Sequence, residues 1–311
     1  MDEKLKNGVM NSDIIELQKQ FGNSLILNEK LSKYSWFKLG GTADVFFRPK
    51  DKNQLCAFLS KANKLFDKIY VLGAGSNTLF RDGGVRGLTI KLSSNFSYLK
   101  LLDNNEIEVG GATLDKQVSN FACEKGIGNL EFLACIPGSI GGSVIMNSGC
   151  YKKEISNIFV SMEVIDFKGN EKTITKDQLE FYYRGTNLDK NLIIISVRLK
   201  GTKSSAKVAL EEQKILIEKK KISQPSKVKT CGSTFKNPKE KKAWQLIKEI
   251  DPKDLKVGGA SISSKHCNFF INDGEATSED IEKLIEKVQQ KVFDKSGVNL
   301  DLEIKLIGEK L

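Results

Sequence analysis

The stretch that most narrows what this chain can fold into is Glu131–Gly149, EFLACIPGSIGGSVIMNSG. Inside it, Ile136-Pro137-Gly138-Ser139-Ile140-Gly141-Gly142-Ser143 sets small residues between two apolar runs. Glycine has no Cβ, so Gly138, Gly141 and Gly142 let backbone N–H groups approach a ligand closely. Successive exposed N–H groups, followed by a short helix starting near Ser143, would form a concavity suited to an anion, and a diphosphate is the natural guest. A tight turn inside a core has the same composition, and the stretch by itself leaves both readings open.

A second glycine cluster, Val71-Leu72-Gly73-Ala74-Gly75-Ser76-Asn77-Thr78-Leu79-Phe80, follows the apolar run Ile69–Leu72. The common nucleotide-loop templates fail at both clusters. A Walker loop counted from Gly138 needs glycine and then lysine where the chain has Ser143 and Val144. The dinucleotide fingerprint counted from Gly73 needs glycine or alanine where the chain has Thr78. Two phosphate-compatible loops of neither standard type predict a long, two-ended cofactor.

The motifs that accompany these loops carry a resemblance. In order along the chain they are Leu39-Gly40-Gly41, Leu72-Gly73-Ala74-Gly75-Ser76-Asn77, Ile136-Pro137-Gly138-Ser139-Ile140-Gly141-Gly142, Tyr183-Arg184, Gly232-Ser233-Thr234-Phe235-Lys236-Asn237-Pro238 and Glu303-Ile304-Lys305-Leu306-Ile307-Gly308. Each is weak alone. As an ordered set from Phe37 to Ile307 they resemble the UDP-N-acetylenolpyruvoylglucosamine reductases, flavoenzymes of peptidoglycan precursor synthesis. The resemblance implies an α+β chain: a two-lobed FAD-binding fold of the vanillyl-alcohol-oxidase (PCMH) type, without a Rossmann unit, plus a C-terminal α+β substrate domain. The expected divisions are an N-terminal helix and connector over 1–30, FAD lobes over 31–95 and 96–203, and the substrate domain over 204–311.

It also implies a reaction. NADPH would reduce FAD, and hydride would then reach the β-carbon of the enolpyruvyl group, leaving an enolate beside the carboxylate. Such a site needs cationic or hydrogen-bonding groups aimed at that charge and a proton donor for the α-carbon. By position in the motifs, Arg184 matches the arginine that steadies the carboxylate, Ser233 the proton donor and Glu303 the second acid. Tyr183, Lys236 and Asn237 match substrate contacts. Gly73, Gly75, Ser76, Asn77 and Thr78, with Pro137, Gly138, Ser139, Gly141, Gly142, Ser143, Ile145 and Gly149, match the cofactor contacts. By residue chemistry alone Arg184 reads as a surface arginine, Ser233 as a loop hydroxyl and Glu303 as a solvated carboxylate. The family pattern usually has glycine at Cys135 and alanine at Cys267, both small exchanges.

Composition excludes several other classes. Hydrophobic residues make up 40% and charged residues 28%, as in globular proteins. No apolar run nears the roughly 18 residues that span a bilayer, and MDEKLKNG is no secretory signal, so a cytoplasmic protein is expected. The six cysteines show no CxxC spacing and there is one histidine, His266, so no metal site is expected. The net charge of +10 favours an anionic partner. Its lysines are spread along the chain without interleaved aromatics, which argues against a nucleic-acid groove. A plain basic surface accounts for most of the excess, part of which a phosphate-bearing small molecule could use, and the resemblance implies a sugar nucleotide as that partner. A monomer is the expected state. The rival readings are a flavin oxidase of the same fold and a non-catalytic basic protein binding nucleotides or nucleic acid.

Local patterns add detail. Ile14, Leu17 and Phe21 predict an amphipathic helix within residues 1–30. Asp51 opens a helix with Leu55, Leu59, Ala62 and Phe66 on one face. Asp103-Asn104-Asn105 predicts a hairpin turn, and Thr113 an N-cap for a helix stopped by Gly126. Thr277 with Asp280 predicts the start of a helix closed by Gly297. Alternation from Leu300 to Leu306 predicts a final strand.

Overall fold

The computed structural model describes residues 10–311, so Met1–Val9 of the expected N-terminal segment lie outside the described residues. By contacts the chain forms two compact units. One comprises the residues up to Asn28 with Asp44–Ala74 and Arg86–Lys219; the other comprises Glu29–Ala43, Gly75–Val85 and Lys220–Leu311. The mixture of helices and strands is α+β.

The first unit is built on a five-stranded sheet in the order Glu171–Thr175, Phe159–Asp166, Leu192–Lys200, Glu106–Gly110, Leu99–Leu101, with every neighbouring pair antiparallel. Leu192–Lys200 reads as an unbroken apolar run because both of its faces are covered. Leu192, Ile194, Val197 and Leu199 point into one core and Ile193 and Ile195 into another. The change of phase comes at Ile195, which the opposing strand skips: Glu163 pairs with Ser196 and Val164 with Ile194. A bulge of this kind redirects the side chains that follow it. The predicted hairpin is present, with Asn104 and Asn105 at φ 57° and 59°, the conformation a two-residue turn of this twist needs.

A second sheet runs Leu25–Lys30, Thr42–Phe47, Val85–Ile90, Ile69–Val71, the last pair parallel. The helix Lys52–Ala62 is capped by Asp51, whose Oδ1 accepts from the Gln54 N–H at 2.7 Å. Its buried face, Leu55, Phe58, Leu59 and Ala62, packs with Ile14, Leu17 and Phe21 of the helix Met10–Phe21. Phe47 and Phe58 stack with centroids 3.7 Å apart.

In the second unit the helix Ser278–Ser296 lays Ile281, Leu284, Ile285, Val288 and Val292 on the sheet Lys256–Val257, Ala260–Ile262, Phe270–Asn272. Thr277 and Asp280 cap each other's N–H groups as predicted, and Gly297 closes the helix at φ 69°. Asp82 accepts from the N–H groups of Ser278 and Glu279 at 3.0 Å each. Arg81 grips the buried Glu282 with two bonds of 2.8 and 3.0 Å.

Three local expectations are corrected. The helix Asp115–Glu124 has Leu114, not Thr113, at its N-cap, because the Thr113 hydroxyl is bonded in both directions to the backbone of Tyr98. The short helix of the central glycine stretch spans Ile140–Ile145, so it starts before Ser143. The final strand is only Lys305–Ile307, parallel to the equally short Thr78–Phe80, although Leu300 and Ile304 are buried as the alternation requires.

Candidate active site

Within the first unit, Gly73 comes up against the central glycine stretch. A Cβ built on Gly73 would stand 2.8 Å from the Ser139 hydroxyl oxygen and 4.0 Å from the Gly142 Cα. A side chain at that point would displace the Ser139 hydroxyl, a physical reason for glycine there. Along the first turn, none of the backbone N–H groups from Gly73 to Asn77 donates to another group of the described residues. Amides without an acceptor in the chain are the groups that a phosphate oxygen uses.

The central stretch differs from the expectation of successive exposed amides. The Ile140 N–H donates to the Thr113 carbonyl at 2.9 Å and the Gly141 N–H to the Gly111 carbonyl at 3.0 Å. The Gly138 N–H is turned toward the carboxyl of Asp115. Of the two clusters, the first turn therefore has the amides to offer an anion, and the central stretch supplies the wall it packs on.

Asp115 is the buttress of that wall, and no sequence pattern singled it out. It is fully buried; the Ser143 hydroxyl donates to its Oδ2 at 2.7 Å, and Oδ1 has no partner among the described residues. Burial, opposed by the bonds from Ser143 and Gly138, pushes its carboxyl up to about 7. The folded state thus keeps a proton that the unfolded chain gives up, and the associated stability is lost as pH rises from about 4 to about 7. Asp115→Asn carries no such proton. It is expected to gain on the wild type across that window by at most about 4 kcal/mol, read by urea unfolding at pH 4.5 and pH 8. An unchanged difference at the two pH values would contradict a carboxyl raised by burial.

Arg184 and Tyr183 form the turn between the strands Phe181–Tyr182 and Gly185–Thr186. Arg184 sits at φ 58°, an uncommon conformation for a side-chain-bearing residue, and one that collects at functional sites. Its Nη2 donates to the Gly149 carbonyl at 2.9 Å, and its guanidinium lies 5.0 Å from the centroid of the exposed Tyr183 ring. The hairpin is tied to the end of the central stretch by Asn147 Nδ2 to the Tyr182 carbonyl at 3.2 Å and by Thr186 Oγ1 to that of Ile145 at 3.4 Å. In this way Arg184, Tyr183, Ile145 and Gly149 belong to one local framework.

The second unit assembles another group. The Glu303 N–H donates to the Thr234 carbonyl and the Lys236 N–H to that of Asp301, both at 2.8 Å. Ser233 bridges Phe269 on its other side, while the Asn268 side chain holds Phe235 N–H and C=O at 2.9 and 2.8 Å. Asn77 Nδ2 donates to the Glu303 carbonyl at 3.1 Å, and the Lys305 N–H to that of Asn77 at 2.9 Å. Ser233, Glu303 and the end of the first glycine turn are therefore neighbours along adjacent backbone segments. Asn237 is exposed, and its Oδ1 accepts from the Ala243 N–H at 3.0 Å, at the start of the helix Ala243–Glu249. His266 accepts from the Asn268 N–H at its Nδ1 and packs on Phe269; burial lowers its pKa, so a neutral imidazole braces this loop.

Comparison with known proteins bears on the same residues. A family model described as the C-terminal domain of UDP-N-acetylenolpyruvoylglucosamine reductase matches residues 224–307, and one described as an FAD binding domain matches residues 43–175. The chain is 44% identical over 298 residues to the UDP-N-acetylenolpyruvoylglucosamine reductase of Pelagibacter ubique, covering 95% of this chain and 98% of that protein. It is 45% identical to the protein of the same name from Rickettsia massiliae, over 89% of this chain and 94% of the relative. The crystal structure of this reductase from Thermus caldophilus superposes with a TM-score of 0.79 at 31% identity, over 91% of this chain and 98% of that one.

Proposed function

Since this chain belongs to the UDP-N-acetylenolpyruvoylglucosamine reductase family, we propose that it reduces the enolpyruvyl group of UDP-N-acetylglucosamine enolpyruvate to give UDP-N-acetylmuramate, with NADPH as reductant. It is an FAD-dependent oxidoreductase. The first glycine turn fits that cofactor: its consecutive unengaged amides suit a diphosphate, and Gly73 leaves room beside Ser139 that a Cβ would fill. Gly73, Gly75, Ser76, Asn77 and Thr78 would hold one part of it, and Pro137, Gly138, Ser139, Gly141, Gly142 and Ser143, with Ile145 and Gly149, another. When bound, FAD supplies the exchange of hydride between NADPH and the substrate's β-carbon.

The residues of the chain supply charge and a proton. Negative charge develops toward the substrate carboxylate, and Arg184, preset by Gly149 and Tyr183, meets it with a planar two-pronged donor. One such donor is typically worth roughly 3–4 kcal/mol of barrier. Ser233 gives its hydroxyl proton to the α-carbon. The alkoxide left behind needs a cation, for which Lys236 and Arg184 are the candidates, and Glu303 assists the protonation. Tyr183, Lys236 and Asn237 contact the substrate. Residues 31–95 and 96–203 serve FAD and 204–311 the sugar nucleotide, in a cytoplasmic monomer. No helix of the described residues is long and apolar enough to cross a membrane.

The observation that carries this reading is the Glu303–Thr234 backbone bond, with Asn77 bonded to the Glu303 carbonyl. It supports the reading because the segments carrying Ser233, Glu303 and Asn77 run beside one another although they are far apart in sequence. The test is a visible spectrum of the purified protein. A flavin band that bleaches with NADPH and returns, without oxygen, on adding the enolpyruvyl sugar nucleotide is the expected outcome. Recovery that needs air and ignores the sugar nucleotide would indicate an oxidase instead.

A further inference from the structure

Lys91 follows the strand Val85–Ile90, and its N–H donates to the Phe47 carbonyl at 3.0 Å, next to Arg48. Its side chain runs inward and its ammonium donates to the carbonyl oxygen of Gly73. Gly73 is the residue whose built Cβ would meet the Ser139 hydroxyl and come within 4.0 Å of the Gly142 Cα. A carbonyl fixed from behind fixes the peptide plane it belongs to, and so the direction of the Ala74 N–H, the second amide of the series. We infer that Lys91 is a positioning residue for the cofactor: by holding the Gly73 carbonyl it sets the first glycine turn, and its charge is coupled to the binding of the anionic diphosphate.

The surroundings of Lys91 make that coupling measurable. Burial first, and the positive charge of Arg48 from the end of the strand Thr42–Phe47 second, lower its pKa to about 8. Arg48 opposes the ammonium. The central stretch contributes Ser139 and Gly142, which carry no charge. A diphosphate held by the adjacent amides brings negative charge and favours the protonated lysine. Above pH 8 binding must then take up a proton, so affinity falls as pH rises.

This inference rests on the reading of the chain as an FAD protein, and the experiment separates the two. Holoenzyme diluted at pH 7.0, 8.0, 9.0 and 9.5 gives the FAD dissociation constant from recovered flavin fluorescence. For the wild type the constant is expected to be level below pH 8 and to rise about tenfold per pH unit above it. Lys91→Met, read the same way, should bind FAD at least about tenfold more weakly at pH 7 and lose the slope. Lys91→Arg keeps its charge throughout this range, so it should remain near the wild type at pH 7 and stay level to pH 9.5. A flat wild-type profile, or a wild-type slope retained in Lys91→Met, overturns the role of Lys91 and leaves FAD binding standing. Should Lys91→Met not fold, a slope retained in Lys91→Arg overturns it equally well. A wild-type protein that binds no FAD at pH 7 removes both readings at once.

Discussion

Replacing Ser233 by alanine is expected to leave the reduction of FAD by NADPH close to the wild-type rate and to slow flavin reoxidation by the enolpyruvyl sugar nucleotide by roughly 10²–10⁴-fold, the usual worth of a positioned proton donor. Removing one oxygen from a half-buried side chain takes nothing from the packing of its segment, which is carried by backbone. Thr234 and Lys236 are held to Glu303 and Asp301, Phe235 is held by Asn268, and Thr234 and Phe235 are buried. The loss should therefore appear in kcat of the second half-reaction, with substrate affinity nearly unchanged, the signature of an interaction made in the transition state. Stopped-flow absorbance of each half-reaction measures it. Equal slowing of both halves would mean that the substitution disturbed the flavin site, and the proton would have to come from elsewhere.

What could be read from the sequence was whatever is decided within one turn or one strand. Thr277, Asp280 and Gly297 delimit their helix because capping is settled by groups three or four residues apart. Asn104 and Asn105 give away the hairpin because few other residues accept a positive φ twice running. The final strand shows the limit of such reasoning. Its burial alternates as expected, yet ladder pairing stops at Lys305 because its partner Thr78–Phe80 is three residues long. The preceding residues instead meet Thr234 and Phe235 through single bonds and a bridge.

The residues that prepare the candidate site were less visible. Asp115 looks like an ordinary first-turn acid, a position that favours carboxylates anyway, and nothing local announces that Ser143 and Gly138 will close over it. Lys91 is one lysine among many, and the parallel pairing that sets Val71 opposite Ile90 brings it within reach of the Gly73 carbonyl. The amides of Ile140 and Gly141 look available in a glycine-rich string, but Thr113 and Gly111 accept from them. In each case the deciding partner comes from another element, so no pattern within one segment could reveal it.

The largest structural effect is expected from Gly75→Ala. Gly75 sits at φ 70°, and a Cβ built there runs into the carbonyl oxygen of Tyr34. The contact cannot be relieved by rotating a side chain, because it is backbone against backbone. The same residue also accepts from the Trp36 N–H at 3.1 Å, so moving either strand of this contact breaks a bond. Conformation alone costs an alanine in this region roughly 1–2 kcal/mol, and Gly297 provides the measure of it. Gly297 has nearly the same φ, 69°, with nothing within 4 Å of its built Cβ. Gly297→Ala should thus lose about 1–2 kcal/mol and keep its flavin. Gly75→Ala should lose on the order of 4 kcal/mol or more, the range of severe steric substitutions, and should be purified largely colourless. Its displaced turn would carry Ser76 and Asn77 away from their places, and with Asn77 the bond to the Glu303 carbonyl. Urea unfolding and the ratio of flavin to protein absorbance decide the matter together. Equal stability losses in the two variants, with flavin retained in both, would mean that the approach of Tyr34 to Gly75 is not what holds the first turn in position.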